Sequence, residues 1–382
     1  MLLKQPEPGE NVPLAPPLQR RFRDVRTGRQ ADSVLELRSD HELDPGGLSD
    51  LLAWGYQSGS RTPLRGVQRV LKPWHLSPPD IDPRQLATVE ERADRLWELL
   101  KDAIGEQLPS DGPVRVSLSG GLDSRAILAA AASVSQGEGK ASTFGDPDCA
   151  DLMVAQLVAA RVGLTHDRVR LPRDGALTNE ERVWVATGGT GGPHSAPGAP
   201  TDVCWSRDAG LMLSGMSGDV IWGDTVQPGP TPARRLKRLG FRYQEPRWDE
   251  ELPRAPEWVS ESGARVWRNL WTRQQGGTWN GVLPRLTYCR VVPIPWHASV
   301  LGFCLALGEE DRHDRRLLRT LLRRHAPAIS DLAVPPVRGA HVHDLDRAFR
   351  EASAWRESLN TWVRGARSQP GTRAFEVTGL RR

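Results

Sequence analysis

Residues 114–134, VRVSLSGGLDSRAILAAAASV, restrict the fold of this chain more than any other stretch. An apolar run rich in β-branched residues passes through two adjacent glycines directly into a helical pattern. In that pattern Ile127, Ala130, Ala131 and Val134 keep i, i+3, i+4, i+7 spacing until Gly137. The alternation then repeats. ASTF at 141–144 is followed by a helix through Ala155, Val158, Ala159 and Val162 that closes at Gly163; DRVRL at 167–171 and GLMLS at 210–214 read as further strands. Strand and helix in repeated succession predict an α/β fold: an open, mostly parallel sheet with helices on both faces. Ligands of such sheets sit at the carboxyl ends of the strands.

The turn itself is Ser119, Gly120, Gly121, Leu122, Asp123, Ser124. Two glycines let the backbone come close to a ligand, and the helix behind them presents unpaired N–H groups that favour an anion. A Walker loop needs a lysine, and this turn has none. Ser119 and Ser124 can donate hydroxyl hydrogen bonds to phosphate oxygens, and an acid such as Asp123 beside a phosphate makes sense as a magnesium ligand. Taken alone, a glycine pair at this junction is also compatible with plain tight packing.

The remainder of the chain sets bounds. A length of 382 residues predicts two unequal parts. Residues 1–85 are rich in proline and glycine, with short pieces such as RGVQRVL and LSDLLAWGY between turns. From Val89 to about Leu108 a helix is expected, with Val89, Ala93, Leu96, Leu100 and Ala103 on one face, leading into a main part over 86–382. Two long irregular stretches, 188–200 and 224–258, read either as lids or as disorder. Helices are expected to dominate beyond them, and eight of the fourteen tryptophans fall between 248 and 362, where most are expected to be core.

A mean hydropathy of -0.48 and the absence of a long apolar run exclude a membrane span, and MLLKQPEPGENVPLAPP has no signal-peptide pattern, so the cytoplasm is expected. Cys149, Cys204, Cys289 and Cys304 are scattered and read as reduced thiols. The net charge of +4 is carried by arginine, with lysine only at 4, 72, 101, 140 and 237. The basic run RHDRRLLRTLLRRH at 312–325 has helical leucine spacing and reads as a solvated helix face, so nucleic acid is not the expected partner. HVHDLD at 341–346 reads as a helix cap before a metal site, and His194 as a solvated loop residue before a base.

Three motifs in order carry a resemblance to a known family. SLSGGLDSRAILA resembles the PP-loop of the ATP pyrophosphatases. STFGDPDCADLMVAQLVAARVGLTHDRVRL, with Asp151, Ala155 and a closing Gly-Leu-x-His, and LMLSGMSGDVIWGD resemble the second and third signatures of the asparagine synthetase-like branch. The likeness covers about residues 86–224 and implies the adenine nucleotide alpha hydrolase-like version of the sheet, a helical C-terminal part and a small N-terminal remnant. It further implies that Ser117, Phe144, Ser214 and Gly215 border the adenosine, that Ser119, Gly120, Gly121, Asp123 and Ser124 hold the pyrophosphate end of ATP, and that Asp123 and Asp219 carry Mg2+. The implied reaction is adenylation of a substrate carboxylate, with release of pyrophosphate, and attack by an amine or ammonia with release of AMP.

Departures from the family pattern narrow these expectations. The chain starts Met1-Leu2 where a glutaminase domain would start with a nucleophilic cysteine, so residues 1–85 are expected to be a truncated remnant, visible around SDLLAWGYQSGSRTPLRGVQRVLKPWH. Ammonia from elsewhere, an amine on the substrate itself, or a partner protein that delivers substrate is then implied, as in lasso-peptide cyclases. Val220 follows Asp219 where the family has glutamate, and Met216 stands where β-lactam synthetases have a catalytic tyrosine, which argues against β-lactam closure. No lysine follows Lys237, which leaves Arg338 as the nearest stand-in for the family's late catalytic lysine. A nucleotide-binding regulatory protein and a tRNA-modifying PP-loop enzyme are the alternatives.

Overall fold

The computed structural model describes residues 21–44, 46–47, 50, 57, 59–71, 76–108, 114–135, 139–145, 149–170, 183, 185–191, 211–223, 252–287 and 289–334. Arg338, His194, Cys204, the HVHDLD stretch, almost all of LSDLLAWGY and most of the two long loops lie outside them.

At the N-terminal side, strand β1 (Phe22–Asp24) pairs antiparallel with both β2 (Gln30–Ala31) and β3 (Val67–Arg69). Their alternating burial closes a small core of Phe22, Ala31, Val34, Leu37, Leu64 and Val67, distinct from the large one. The β1–β2 turn is held by Asp24, whose carboxylate accepts the Arg26 amide at 2.8 Å and the Thr27 hydroxyl at 2.7 Å. Helix α1 (Val89–Gly105) follows. It starts at a capping box in which the Thr88 hydroxyl accepts the Glu91 amide and the Glu91 carboxylate accepts the Thr88 amide, and it buries the face that the spacing predicts.

The main core is a five-stranded sheet. Strand β4 (Val114–Ser117), helix α2 (Leu122–Val134), strand β5 (Gly139–Gly145), helix α3 (Ala150–Arg161) and strand β6 (Thr165–Arg170) follow one another as the sequence predicts. Strand β7 (Leu211–Ser214) comes next, and all pairings are parallel in the order β6-β5-β4-β7, with a fifth strand, β8 (Arg290–Pro293), beside β7. The chain therefore moves outward from β4 through β5 to β6 and then returns to the opposite side of β4 at β7. That reversal opens a crevice between the carboxyl ends of β4 and β7.

Helices dominate beyond residue 258 as expected, and strand β8 is an addition that the sequence did not announce. RVVP is too short and too closely followed by prolines to show a period of its own, and the exposed edge of β7 recruits it.

Short helix α4 (Gly218–Ile221) follows β7, and α5 (Glu261–Asn269), α6 (Ala298–Ala306), α7 (Glu309–Arg312) and α8 (Arg316–His325) make up the helical C-terminal part. Trp267, Trp271, Trp279 and Trp296 are buried there, with edge-on contacts between Trp267 and Trp271 and between Trp279 and Trp296. Cys149, Cys289 and Cys304 are buried thiols. Among the described residues no helix is long and apolar enough to cross a membrane.

The basic run departs from a uniform helix face. Helix α8 buries Leu317, Leu318, Leu321 and Leu322 and leaves Arg316, Arg323 and Arg324 exposed, but Arg312 is buried and Arg315 turns inward. The leucine period starts only at 317, so it says nothing about the arginines ahead of it.

Candidate functional site

The loop after β4 is shaped by its own side chains. Ser124, in the first turn of α2, accepts the Ser119 amide at 3.0 Å, lies 3.0 Å from the Ser119 hydroxyl and reaches the Ser119 carbonyl at 3.0 Å. Ser119 Oγ in turn accepts the Gly121 amide at 3.2 Å. The Gly120 N–H donates to buried Asp151 of α3 at 2.9 Å. Asp151, reached through the second motif, thus fixes the middle of the glycine turn, and the serines curl it. Beneath the loop, buried Arg125 of α2 donates to the Gly120 carbonyl at 2.8 Å and to the carbonyls of Leu332 and Ala333 at 2.8 and 2.6 Å. One guanidinium thereby ties the turn to the last described residues.

The strand ends line up across the crevice. Ser117 stands in register with Ser142 on one side and Ser214 on the other. The loop after β7 meets the first turn of α2 backbone to backbone: a Cβ on Gly215 would lie 2.9 Å from the Asp123 carbonyl carbon and 3.0 Å from the Ser124 nitrogen. Only glycine permits that approach. Next to it Ser217 takes the left-handed conformation, φ 67°, and its buried hydroxyl donates to Gln274 at 2.7 Å. This bend starts α4 and brings Asp219 up to Asp123.

Asp123 is the centre of the site. Its Oδ1 accepts the indole N–H of buried Trp222 at 2.6 Å, and its Oδ2 accepts Arg315 at 2.9 Å. Burial pushes the Asp123 carboxyl upward, the Arg315 guanidinium opposes that shift, and the charge of Asp219 adds to it. Asp219 has no hydrogen bond or ion pair among the described residues. Two carboxylates whose charges repel, one of them otherwise unengaged, could supply two oxygen ligands to a hard divalent cation that shares its remaining positions with phosphate and water. Among the described residues no group of three or more His, Cys, Asp or Glu side chains could hold a metal by itself. The residues thus fit a metal that arrives with a phosphate better than a resident ion.

Phe144, near the end of β5, is half-buried, and the Arg285 guanidinium lies 4.8 Å from its ring centroid. His166, from the Gly-Leu-x-His stretch, reaches the Thr143 hydroxyl at 2.8 Å through Nε2, and Thr143 donates to the Leu118 carbonyl at 2.7 Å. The hydroxyl has one proton and the carbonyl can only accept, so His166 donates from Nε2. Desolvation lowers its pKa, which keeps the ring neutral in that role. The histidine of the second motif therefore fastens edge strand β6 to the strand end under the loop.

The structure thus gathers Ser117, Ser119, Gly120, Gly121, Asp123, Ser124, Ser214, Gly215 and Asp219 at one crevice, with Phe144 on the neighbouring strand. Arg338 lies outside the described residues. Sequence reasoning missed Trp222 and Arg315, the two partners of Asp123. Trp222 sits inside the third motif, three positions after Asp219, and caps the C-terminal end of α4, from where its indole returns to the loop. Nothing local marks Arg315.

A family model described as asparagine synthase matches residues 95–326, from α1 to the end of the helical part. No curated relative matches the chain. Among solved structures, the chain is similar to an NH3-dependent NAD synthetase from Campylobacter jejuni subsp. jejuni NCTC 11168, determined in complex with nitrate. The identity is 12%, the coverage 40% of this chain and 74% of that one, and the TM-score 0.26.

Proposed function

Because the chain belongs to the asparagine synthase family, whose chemistry is ATP-dependent amide ligation, we propose that it adenylates a substrate carboxylate and passes the acyl group to an amine. The observation that carries this reading is the apposition of Asp123 and Asp219 where the loops after β4 and β7 meet. Both carboxylates flank the helix-start loop at which a pyrophosphate would leave. The carboxylate substrate attacks the α-phosphorus of ATP, the bond to the pyrophosphate breaks, and the amine then displaces AMP from the acyl-adenylate. Mg2+ would be held by Asp123 and Asp219 and would neutralise charge on the phosphates. The chain's own part is positioning. Asp151 and Ser124 fix the loop, Ser117 and Ser214 border the crevice, and Phe144 with Arg285 forms a wall on the β5 side.

We propose that the amine comes from the substrate, from free ammonia or from a partner protein. We read residues 1–85 as a glutaminase-like remnant that has kept a packing role. A peptide or small molecule bearing both carboxylate and amine is the substrate class this favours, in a biosynthetic tailoring reaction in the cytoplasm.

Isotope exchange of pyrophosphate into ATP tests the reading. With a panel of amino acids and short peptides as carboxylates, exchange is expected with the right one and is expected to be lost in Asp123→Asn, which keeps an acceptor for Trp222. ATP binding with no exchange and no AMP for any carboxylate and amine would favour a nucleotide-binding regulator instead.

A further inference from the structure

The turn between α7 and α8 contains two successive non-glycine residues with positive φ, Asp314 at 48° and Arg315 at 54°. A non-glycine residue in this region is strained, and the strain persists only where the surroundings impose it. Both flanks are fixed. On one side the Arg312 guanidinium is buried and donates to the Ile221 and Cys304 carbonyls and the Ser262 hydroxyl; on the other, Leu317 and Leu318 are in the core. Between them the kink directs Arg315 onto Asp123 Oδ2.

The two partners are not equally held. Asp123 is anchored through its other oxygen by Trp222, whereas the Arg315 side chain is 27% exposed and, among the described residues, is held by this carboxylate alone. Arg315 is therefore the partner able to move. Its planar fork matches phosphate oxygens, and the oxygen it covers is one of those a divalent cation would need. We propose that Arg315 is an exchangeable cation of the nucleotide site: it neutralises Asp123 in the free protein, and it moves to the phosphates of ATP when a divalent metal takes its place on that carboxylate. The inference rests on the ATP reading of the site. It adds that Arg315 and metal compete when nucleotide is absent and act together when it is present.

The two halves have opposite signs, which makes them testable on the full chain. Mn2+ binding without nucleotide is followed by the electron paramagnetic resonance signal of free Mn2+, and ATP binding with Mg2+ by calorimetry, for wild type, Arg315→Gln and Arg315→Lys. In Arg315→Gln, Mn2+ is expected to bind several-fold more tightly and ATP about tenfold more weakly, the size of one charge-assisted hydrogen bond. Arg315→Lys should recover part of the ATP affinity, because it keeps the charge and loses only the fork. If Arg315 merely braced the turn, both affinities would fall together in Arg315→Gln, and that result would overturn the inference. Unchanged Mn2+ affinity would overturn it too. A wild-type protein that bound no ATP would instead overturn the ATP reading, and this inference with it.

Discussion

Replacing Gly215 by alanine tests whether the two loops really form one site. The added Cβ would lie 2.9 Å from the Asp123 carbonyl carbon, 3.0 Å from its oxygen and 3.0 Å from the Ser124 nitrogen, where ordinary contact begins at 3.4 Å. The loops must therefore part by about 0.5 Å. All three atoms are backbone, and α2 behind them is locked by buried Ala126, Ile127 and Leu128, so no side chain can swing away to absorb the methyl. Overpacking of this kind costs about 1–3 kcal/mol. At about 2–4 °C per kcal/mol, a fall of several degrees in the thermal midpoint is expected, measured by calorimetry without ligand. A 1 Å misplacement of reacting groups can cost on the order of a hundredfold, so half that distance should lower the exchange rate by about tenfold. Gly105→Ala is the control: the last residue of α1 has its nearest atom, Val134 Cγ1, at 4.0 Å, and alanine should be neutral or stabilising by up to about 1 kcal/mol. If Gly215→Ala melted and turned over like the parent, the backbone contact between the loops could not be what sets the site.

Further outcomes follow from single groups. Arg125→Met removes donors from the Gly120, Leu332 and Ala333 carbonyls, and a loss of about 3 kcal/mol is expected, with faster hydrogen exchange at residues 329–334; unchanged protection there would refute the tie between loop and chain exit. The Thr27 hydroxyl, helped by the Arg26 and Thr27 amides, holds the Asp24 carboxyl at about 2 against 3.8 when unfolded. Its contribution is thus present above pH 3.8 and is lost as pH falls through about 2, so the melting difference between wild type and Asp24→Asn should shrink over that window; a difference independent of pH would refute it. Burial pushes the Cys304 thiol up to about 12, and Cys149 and Cys289 are buried as well, so native Cys204→Ser protein should not react with a disulfide reagent at pH 8 until denatured. Rapid labelling of the native protein would show that the buried surroundings of at least one of these thiols open.

How much of this was legible depended on the range over which each signal acts. The strands at 114, 141, 167 and 211, the helices between them and the capped helix from Val89 could be read directly, because period and capping depend on neighbours a few residues apart. Strand β8 could not, since four residues next to prolines become a strand only when the edge of β7 offers them partners. The basic run shows the same limit. The leucines of α8 announced a helix, but the left-handed kink at Asp314 and Arg315 is imposed by packing on both sides and leaves no mark in the spacing.

The candidate site divides in the same way. The sequence by itself determined the glycine turn, its missing lysine, Asp123, and the serine, glycine and acid of the third motif, because each lies where a strand passes into a helix and local geometry dictates residue type. Only the tertiary structure decided that β7 returns to the side of β4, which turns two separate motifs into one crevice. It also decided how Asp123 is neutralised. Trp222 stands 99 positions from that carboxylate and Arg315 stands 192, and pairings at such distances are chosen by chain topology and burial, which no local pattern encodes.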